Sequence, residues 1–533
     1  MAKDFDLDVA VVGAGFGGVS MLYRLREHGL RARAFEAGSG VGGTWFWNRY
    51  PGARCDIESL EYSYQFSEEL QQEWEWSERY ATQPEILSYI EHVVERFDLG
   101  GDIALNTRVT AAHFDAATQG WKVETECDGE RKSITAGFCV MATGCLSSAN
   151  EPDFPAKDSY EGPIYHTGRW PHEGVDFTGK RVAVIGTGSS GIQSIPLIAE
   201  QAAHLTVFQR TPNYSIPACN GPLDPEHVCE VKKDYPAFRA HNAQLPFGAN
   251  FPSNETLAAE VDDAEKARVY EARWKSGGLG FITAFGDLLD DEASNATAAE
   301  FVRDKIRAVV TDPETAEKLA PDTLIGCKRL CVDTDYYATF NRDNVTLVSV
   351  LEDPIETFTP TGLRAGGVDY ALDAIVLATG FDAMTGAVAR IDIRGRDGLT
   401  LAEKWSAGPR TYLGVGSQGF PNLFLVTGPG SPSVLSNMVP SIEQHARWIS
   451  ACIAHLREHD VDTIEATREA EDAWVEHVNE VAAPTVYPSC NSWYLGANVP
   501  GKPRVFMPYI GFPTYVAKCD EVAAKGYEGF ALS

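Results

Sequence analysis

The stretch DVAVVGAGFGGVS (Asp8–Ser20) decides the fold. An apolar run, Val9 to Val12, leads into Gly13, Gly15 and Gly18 at GxGxxG spacing, and the helical pattern SMLYRLREHG follows. In a strand–turn–helix of this kind the first glycine permits the tight turn. The second lets backbone approach a pyrophosphate, and the third lets helix pack on strand. The helix N-terminus then turns its partial positive charge toward the phosphates. The next strand, RARAFEA, closes on Glu36, at the distance from Gly18 where an acid meets a ribose hydroxyl.

A second cradle repeats the pattern in RVAVIGTGSSGIQS (Arg181–Ser194), with Gly186, Gly188 and Gly191 at the key positions and Thr187, Ser189, Ser190 and Gln193 around them. Its following strand, HLTVFQRTP, puts Gln209 in the acid slot, with Arg210 and Thr211 next. An acid there repels a ribose 2′-phosphate, whereas an arginine pairs with one. The first cradle therefore reads as a dinucleotide site with a free ribose, the second as NADP-selective. Two more apolar runs, FCVMATG (Phe138–Gly144) and DAIVLATGFD (Asp373–Asp382), end in the same Ala-Thr-Gly. Such strand ends carry the chain between neighbouring units, so the second unit is expected to be inserted in the first, with crossings near 145 and 379.

Between about 222 and 326 the texture changes to Glu, Asp, Lys and Ala with few β-branched runs. SNATAAEFVRDKIRAVV spaces Val302, Ile306, Val309 and Val310 helically behind a cap expected at Asn295. DPETAEKLAP offers Asp312 as cap and Pro313 at the first helical position. The expected architecture is α/β, with two Rossmann-like units, the second inserted in the first and itself carrying a helical subdomain. The divisions fall at 1–145 and 380–533 for the first unit, 146–221 and 327–379 for the second, and 222–326 for the helical part.

Composition narrows the function. The 533 residues carry a net charge of −30, which argues against nucleic acid or an anionic membrane as the main partner. No run approaches the roughly eighteen apolar residues of a membrane helix. The opening residues lack a basic stretch ahead of an apolar one, so no leader peptide is expected. Eleven cysteines, with no CxxC pair, suggest neither a disulfide framework nor structural zinc, and a reducing cytoplasm is the expected setting. No metal site is expected.

Just ahead of the second cradle lies YEGPIYHTGRWP (Tyr160–Pro171). Its histidine could be a base, a metal ligand or a hinge residue. With GGTWFWNRYPGARCD (Gly42–Asp56), this string carries a resemblance to the type I Baeyer–Villiger monooxygenases, nearest the phenylacetone and steroid branch. Gly162, His166, Trp170 and Pro171 match one family fingerprint, with Tyr160 where relatives have phenylalanine. Gly42, Gly43, Trp45, Tyr50, Pro51, Gly52 and Asp56 match the other.

The resemblance implies FAD in the first unit, NADPH in the second, and dioxygen and a small-molecule ketone as substrates. One oxygen atom is inserted beside the carbonyl, through a flavin C(4a)-peroxide, to give an ester or lactone. It makes Arg329 and Asp56 the catalytic pair, since a peroxyanion needs a cation that keeps its proton. It places Lys328 on the NADP 2′-phosphate and Trp493 on a closing loop, and it sets Thr44, Trp45, Tyr62 and Val109 against cofactor. By analogy Ile57, Leu146, Val434, Leu435 and Met438 wall the substrate pocket. His166 has no carboxylate or histidine partner in its own segment, so it reads as a linker residue that sets one unit on the other. The alternative activity is that of a flavin-containing monooxygenase acting on sulfur or nitrogen, which usually lacks both fingerprints. A disulfide reductase would need a cysteine pair after the first cradle, and a non-catalytic sensor would not need Arg329 and Asp56.

Overall fold

The computed structural model describes residues 5–533. Strand β1 (Leu7–Val12) lies at the heart of the larger sheet, between β2 (Ala32–Phe35), which leads on to β3 (Ile103–Ala104), and the long strand Glu130–Met141. β4 (Arg108–Asp115), β5 (Gly120–Cys127) and β6 (Glu130–Met141) form an antiparallel meander. β1 pairs in parallel with both β2 and β6. Val9, Ala10 and Val11 are fully buried, as expected of a parallel strand covered on both faces. The chain returns to this sheet late: Asp392–Arg394 pairs with β4 and Leu423–Leu425 with β6.

The smaller sheet contains β7 (Ile164–His166), β8 (Arg181–Ile185) and β9 (His204–Gln209). Val345–Ser349 pairs with β9, and Ala374–Leu377 lies between β8 and β7, all in parallel. Both sheets are thus of Rossmann type, and the second interrupts the first. The two Ala-Thr-Gly ends do the same job in each. Gly13 has φ +103°, and a Cβ there would sit 2.6 Å from the Ala142 carbonyl oxygen. Gly186 has φ +110°, and a Cβ there would overlap the Ala378 carbonyl. Each crossing strand is pressed against the turn of its own cradle.

The stretch between 222 and 326 is mostly helical, including Pro225–Lys233, Asp263–Ser276 and Glu292–Val309. Its base is closed by Ser215–Pro217 pairing in parallel with Cys331–Asp333, which fixes where Lys328 and Arg329 emerge. The cap at Asp312 is present, its side chain accepting from the Thr315 amide. The cap expected at Asn295 is not. The helix begins earlier, with Asp291 accepting from the Ser294 amide, and Asn295 is buried inside it. There its Nδ2 donates to the carbonyls of Leu288 and Ile325. Asn295 serves as a tertiary staple, a use that its cap-like composition does not reveal.

The cysteine expectation also needs correction, because Cys327 and Cys490 form a disulfide across 163 residues of sequence. Pairing at that separation is set by tertiary folding and leaves no trace in local spacing. Among the described residues no helix is long and apolar enough to cross a membrane. None of them form a group of three or more His, Cys, Asp or Glu able to hold a metal.

Candidate active site

A cavity of about 560 Å³ opens at the first cradle and runs toward the second sheet. Gly13, Gly15, Glu36, Gly43, Thr44, Trp45, Tyr62 and Val109 line its inner part. The Glu36 carboxylate accepts from the Ala14 amide at 2.9 Å and the Gly38 amide at 2.7 Å, which fixes the turn around it. Gly18 is off the wall. A Cβ there would overlap the Gly13 carbonyl, so this glycine lets the helix start close behind the turn. The tight turn, the close backbone approach, the helix start and the acid together fit a dinucleotide with a free ribose. Tyr62 accepts from Trp45 Nε1 at 3.2 Å, and burial pushes its phenol well above the ordinary range.

At the outer end Arg329 and Asp56 face each other. Nε of Arg329 donates to Asp56 Oδ2 at 3.1 Å, and Nη2 donates to Oδ1 and Oδ2, both at 2.8 Å. Nη1 donates to the Val434 carbonyl at 2.8 Å. Both side chains remain partly exposed to the cavity, at 23 % and 24 %. Burial opposes charge on Arg329, but Asp56, with Tyr494 and Cys55 adding to it, raises the pKa overall and keeps the guanidinium protonated. Tyr494, buried beside it, was not singled out in the sequence, although its neighbour Trp493 was. Burial pushes the Tyr494 phenol up to about 12, with Arg329 pulling the other way.

Ile57, Leu146, Val434, Met438 and Trp493 line the same cavity. Leu435 does not. It ends the short turn Ser433–Leu435 and packs into the main core, while the Val434 carbonyl is held by Arg329. Cys55, Cys145, Ser436 and Ile442 are further wall residues that the sequence did not flag.

Ser189, Ser190 and Gln193 bring the second cradle to the cavity edge. Gln193 bridges the two units, accepting from the Tyr50 hydroxyl at 2.8 Å and donating to the Arg54 carbonyl at 3.2 Å. Gly188 is open, with nothing within 4 Å of a Cβ, while a Cβ on Gly191 would overlap the Gly186 carbonyl. Thr187 donates to the Thr211 carbonyl at 3.2 Å, tying cradle to strand end. The Gln209 amide is turned inward, donating to the Lys318 carbonyl, so the slot presents no acid. Lys328 and exposed Arg210 lie close enough to repel. Burial first, and then Arg210, pushes the Lys328 amine below its ordinary value. Two cations beside a strand end whose acid slot holds a glutamine fit a phosphate.

The string Tyr160–Pro171 lies at the crossings. Gly162 packs against the Tyr160 ring, with no room for a Cβ. Trp170 is buried, and its amide donates to the Trp47 carbonyl at 3.3 Å, joining one fingerprint to the other. Pro171 follows, half-buried. His166 Nδ1 accepts from the Gly168 amide at 2.9 Å, while Nε2 lies 3.3 Å from both the Asn150 carbonyl and Thr379 Oγ1. Burial pushes its pKa down, favouring the neutral ring.

Comparison with known proteins decides the family. The flavin-binding monooxygenase-like family model matches residues 6–218. A Baeyer–Villiger monooxygenase of Pseudooceanicola batsensis is 43 % identical over 98 % of this chain and 95 % of its own length. The chain belongs to the Baeyer–Villiger monooxygenases. Like that family, this monooxygenase uses FAD and NADPH. A solved steroid monooxygenase bound to NADP superposes with a TM-score of 0.94 at 54 % identity, each chain covered to 99 %. A closed cyclohexanone monooxygenase gives 0.96 at 43 %, also with 99 % of each chain covered.

Proposed function

We propose that this monooxygenase converts a small ketone to an ester or lactone in the cavity beside Arg329. The observation that carries the reading is a charged arginine, clamped by Asp56 yet open to the flavin site. FAD, held by Gly13, Gly15, Glu36, Gly43, Thr44, Trp45, Tyr62 and Val109, supplies the oxygen-activating chemistry when bound. Arg329 stabilises negative charge next to the ketone, and its five donors and permanent charge suit that task. Asp56 orients it and keeps it from being a buried unpaired cation. Ile57, Leu146, Val434 and Met438 shape the ketone pocket, and Trp493 excludes water. Gly186, Gly188, Gly191, Arg210, Thr211 and Lys328 hold NADPH. His166 fastens the connecting segments at 145–150 and 379–381, on which the boundaries given above are drawn. Nine free cysteines beside the one disulfide support a cytoplasmic setting.

The test is a ketone panel with the purified holoenzyme, following NADPH consumption and identifying products by mass. Ester matching the NADPH consumed supports the reading. Hydrogen peroxide alone from every ketone, or oxygenation of only sulfur or nitrogen compounds, rejects it.

A further inference from the structure

The disulfide has a placement that the oxygenation reaction itself does not require. Cys327 immediately precedes Lys328 and Arg329, and Cys490 precedes Trp493 by three positions. The Cα atoms are 6.0 Å apart, within the range a disulfide spans. Cys327 is fully buried, whereas Cys490 is part-exposed and approachable from solvent.

The loop beyond Trp493 is well tied without this bond. Asn498 Nδ2 donates to the Phe381 carbonyl at 2.7 Å, Lys502 pairs with Asp382 at 2.5 Å, and the Met507 amide donates to the Tyr494 carbonyl at 3.0 Å. Ahead of it, the Val486 amide donates to the Leu289 carbonyl at 2.7 Å. Between these anchors, among the described residues, the hydrogen bonds of 488–493 stay within the loop. Apart from Tyr494, whose phenol meets the Arg329 side chain, the disulfide is the tie between this stretch and the Arg329 segment. In a reducing compartment such bonds are usually transient or redox-sensing.

We propose that Cys327 and Cys490 form a redox latch that holds the Trp493 loop closed over the cavity and opens on reduction. The proposal rests on the role given above to Trp493 and on ester formation in this cavity. A dithiol, small or protein-borne, is the reductant. One of its thiolates attacks Cys490 Sγ, the Cys327–Cys490 bond breaks, and Cys327 leaves as a thiolate that takes up a proton. The second thiol of the reductant then attacks the mixed disulfide. Cys490 is released as a thiol and the reductant departs as a disulfide, so two electrons and two protons have moved. An oxidised dithiol or small disulfide reverses the sequence. With the latch open the loop is closed for a smaller share of the time, and water reaches the site.

The experiment uses the flavin-loaded enzyme in oxidised and dithiol-reduced form, with thiol-labelling and peptide mass mapping of the bond. Hydrogen exchange of 488–494 and ester formed per NADPH consumed are then compared. If reduction lowers the closed fraction to about a third, ester per NADPH falls about threefold and exchange rises. Cys490→Ser and Cys327→Ala should each be fixed in the low state and indifferent to dithiol. Absence of the 327–490 linked peptide after oxidation, or equal coupling and exchange in both states, overturns the latch. Because wild type alone supplies the main comparison, a poorly folding variant leaves the outcome readable. Arg329→Ala separates the two readings. If it still forms ester while wild-type coupling follows redox state, the arginine's role fails and the latch stands.

Discussion

Arg329 meets both carboxylate oxygens of Asp56 through Nε and Nη2, which leaves Nη1 to hold the Val434 carbonyl. One residue thus fixes the charge of the site and one wall of its pocket. Arg329→Ala should retain NADPH-driven bleaching of the flavin without oxygen, yet lose ester formation by about 100-fold or more. Anaerobic absorbance and product mass check the two halves, and near-normal ester yield sinks the assignment. Asp56→Ala leaves the guanidinium unpaired. Since both side chains are partly exposed, the loss should be about 1–3 kcal/mol, below that of a fully buried pair. Thermal unfolding of the holoenzyme measures it.

Arg210 and Lys328 should set the preference for NADPH. Replacing either by alanine removes a charge-assisted contact worth roughly 1.5–3 kcal/mol, so KM for NADPH rises about tenfold or more while KM for NADH is little changed. Burial, then Arg210, lowers the Lys328 pKa. The amine therefore loses its proton at a lower pH than an ordinary lysine, and KM for NADPH should climb in the alkaline range where Lys328→Arg remains flat. Identical profiles would remove Lys328 from the phosphate site.

The two cradles should fail differently. A Cβ on Gly18 overlaps the Gly13 carbonyl and one on Gly191 overlaps the Gly186 carbonyl, each an overpacking of roughly 1–3 kcal/mol. Gly18→Ala should release flavin during purification, seen as a fall in visible absorbance relative to protein. Gly191→Ala should keep its flavin and show a raised KM for NADPH. A colourless Gly191→Ala would reverse the assignment of cradles.

His445 predicts an acid limit. Its Nδ1 accepts from the amide of the cavity-lining Thr427 at 2.9 Å, and Nε2 lies 2.6 Å from the Tyr515 hydroxyl. Burial pushes its pKa from 6.5 down to about 4. The folded value lies below the unfolded one, so stability from the neutral ring is complete above pH 6.5. It is lost as pH falls toward 4, by roughly 3 kcal/mol in all. Thermal midpoints across that window should fall more steeply in wild type than in His445→Gln, and parallel curves would refute the linkage.

What was legible in the sequence was local or fingerprint-bound. Gly13, Gly18, Gly186 and Gly191 are decipherable because the spacing that calls for them is local, even though the carbonyls that crowd Gly13 and Gly186 come from the remote Ala142 and Ala378. Arg329 and Asp56 are 273 positions apart, and only the family resemblance joined them before the structure did. Nothing local announces Cys327 with Cys490, or the Gln193 bridge to Tyr50, because each depends on two remote surfaces meeting. Asn295 misled for the opposite reason: a good capping residue found stronger tertiary partners. Leu435 misled because an apolar residue beside a pocket wall has the same composition as the wall.

Each Ala-Thr-Gly end is pressed onto its cradle through Ala142 or Ala378, and each closes on a glycine at positive φ, Gly144 at +72° and Gly380 at +77°. The second sheet is therefore slung from the first by two straps whose roots are clamped. The straps run antiparallel, with a bridge between Ala149 and Phe381, and two ties side by side resist twist and separation better than one. The Tyr50 hydroxyl on Gln193 adds a third tie between the units, so the nicotinamide unit is held at three points around the cavity.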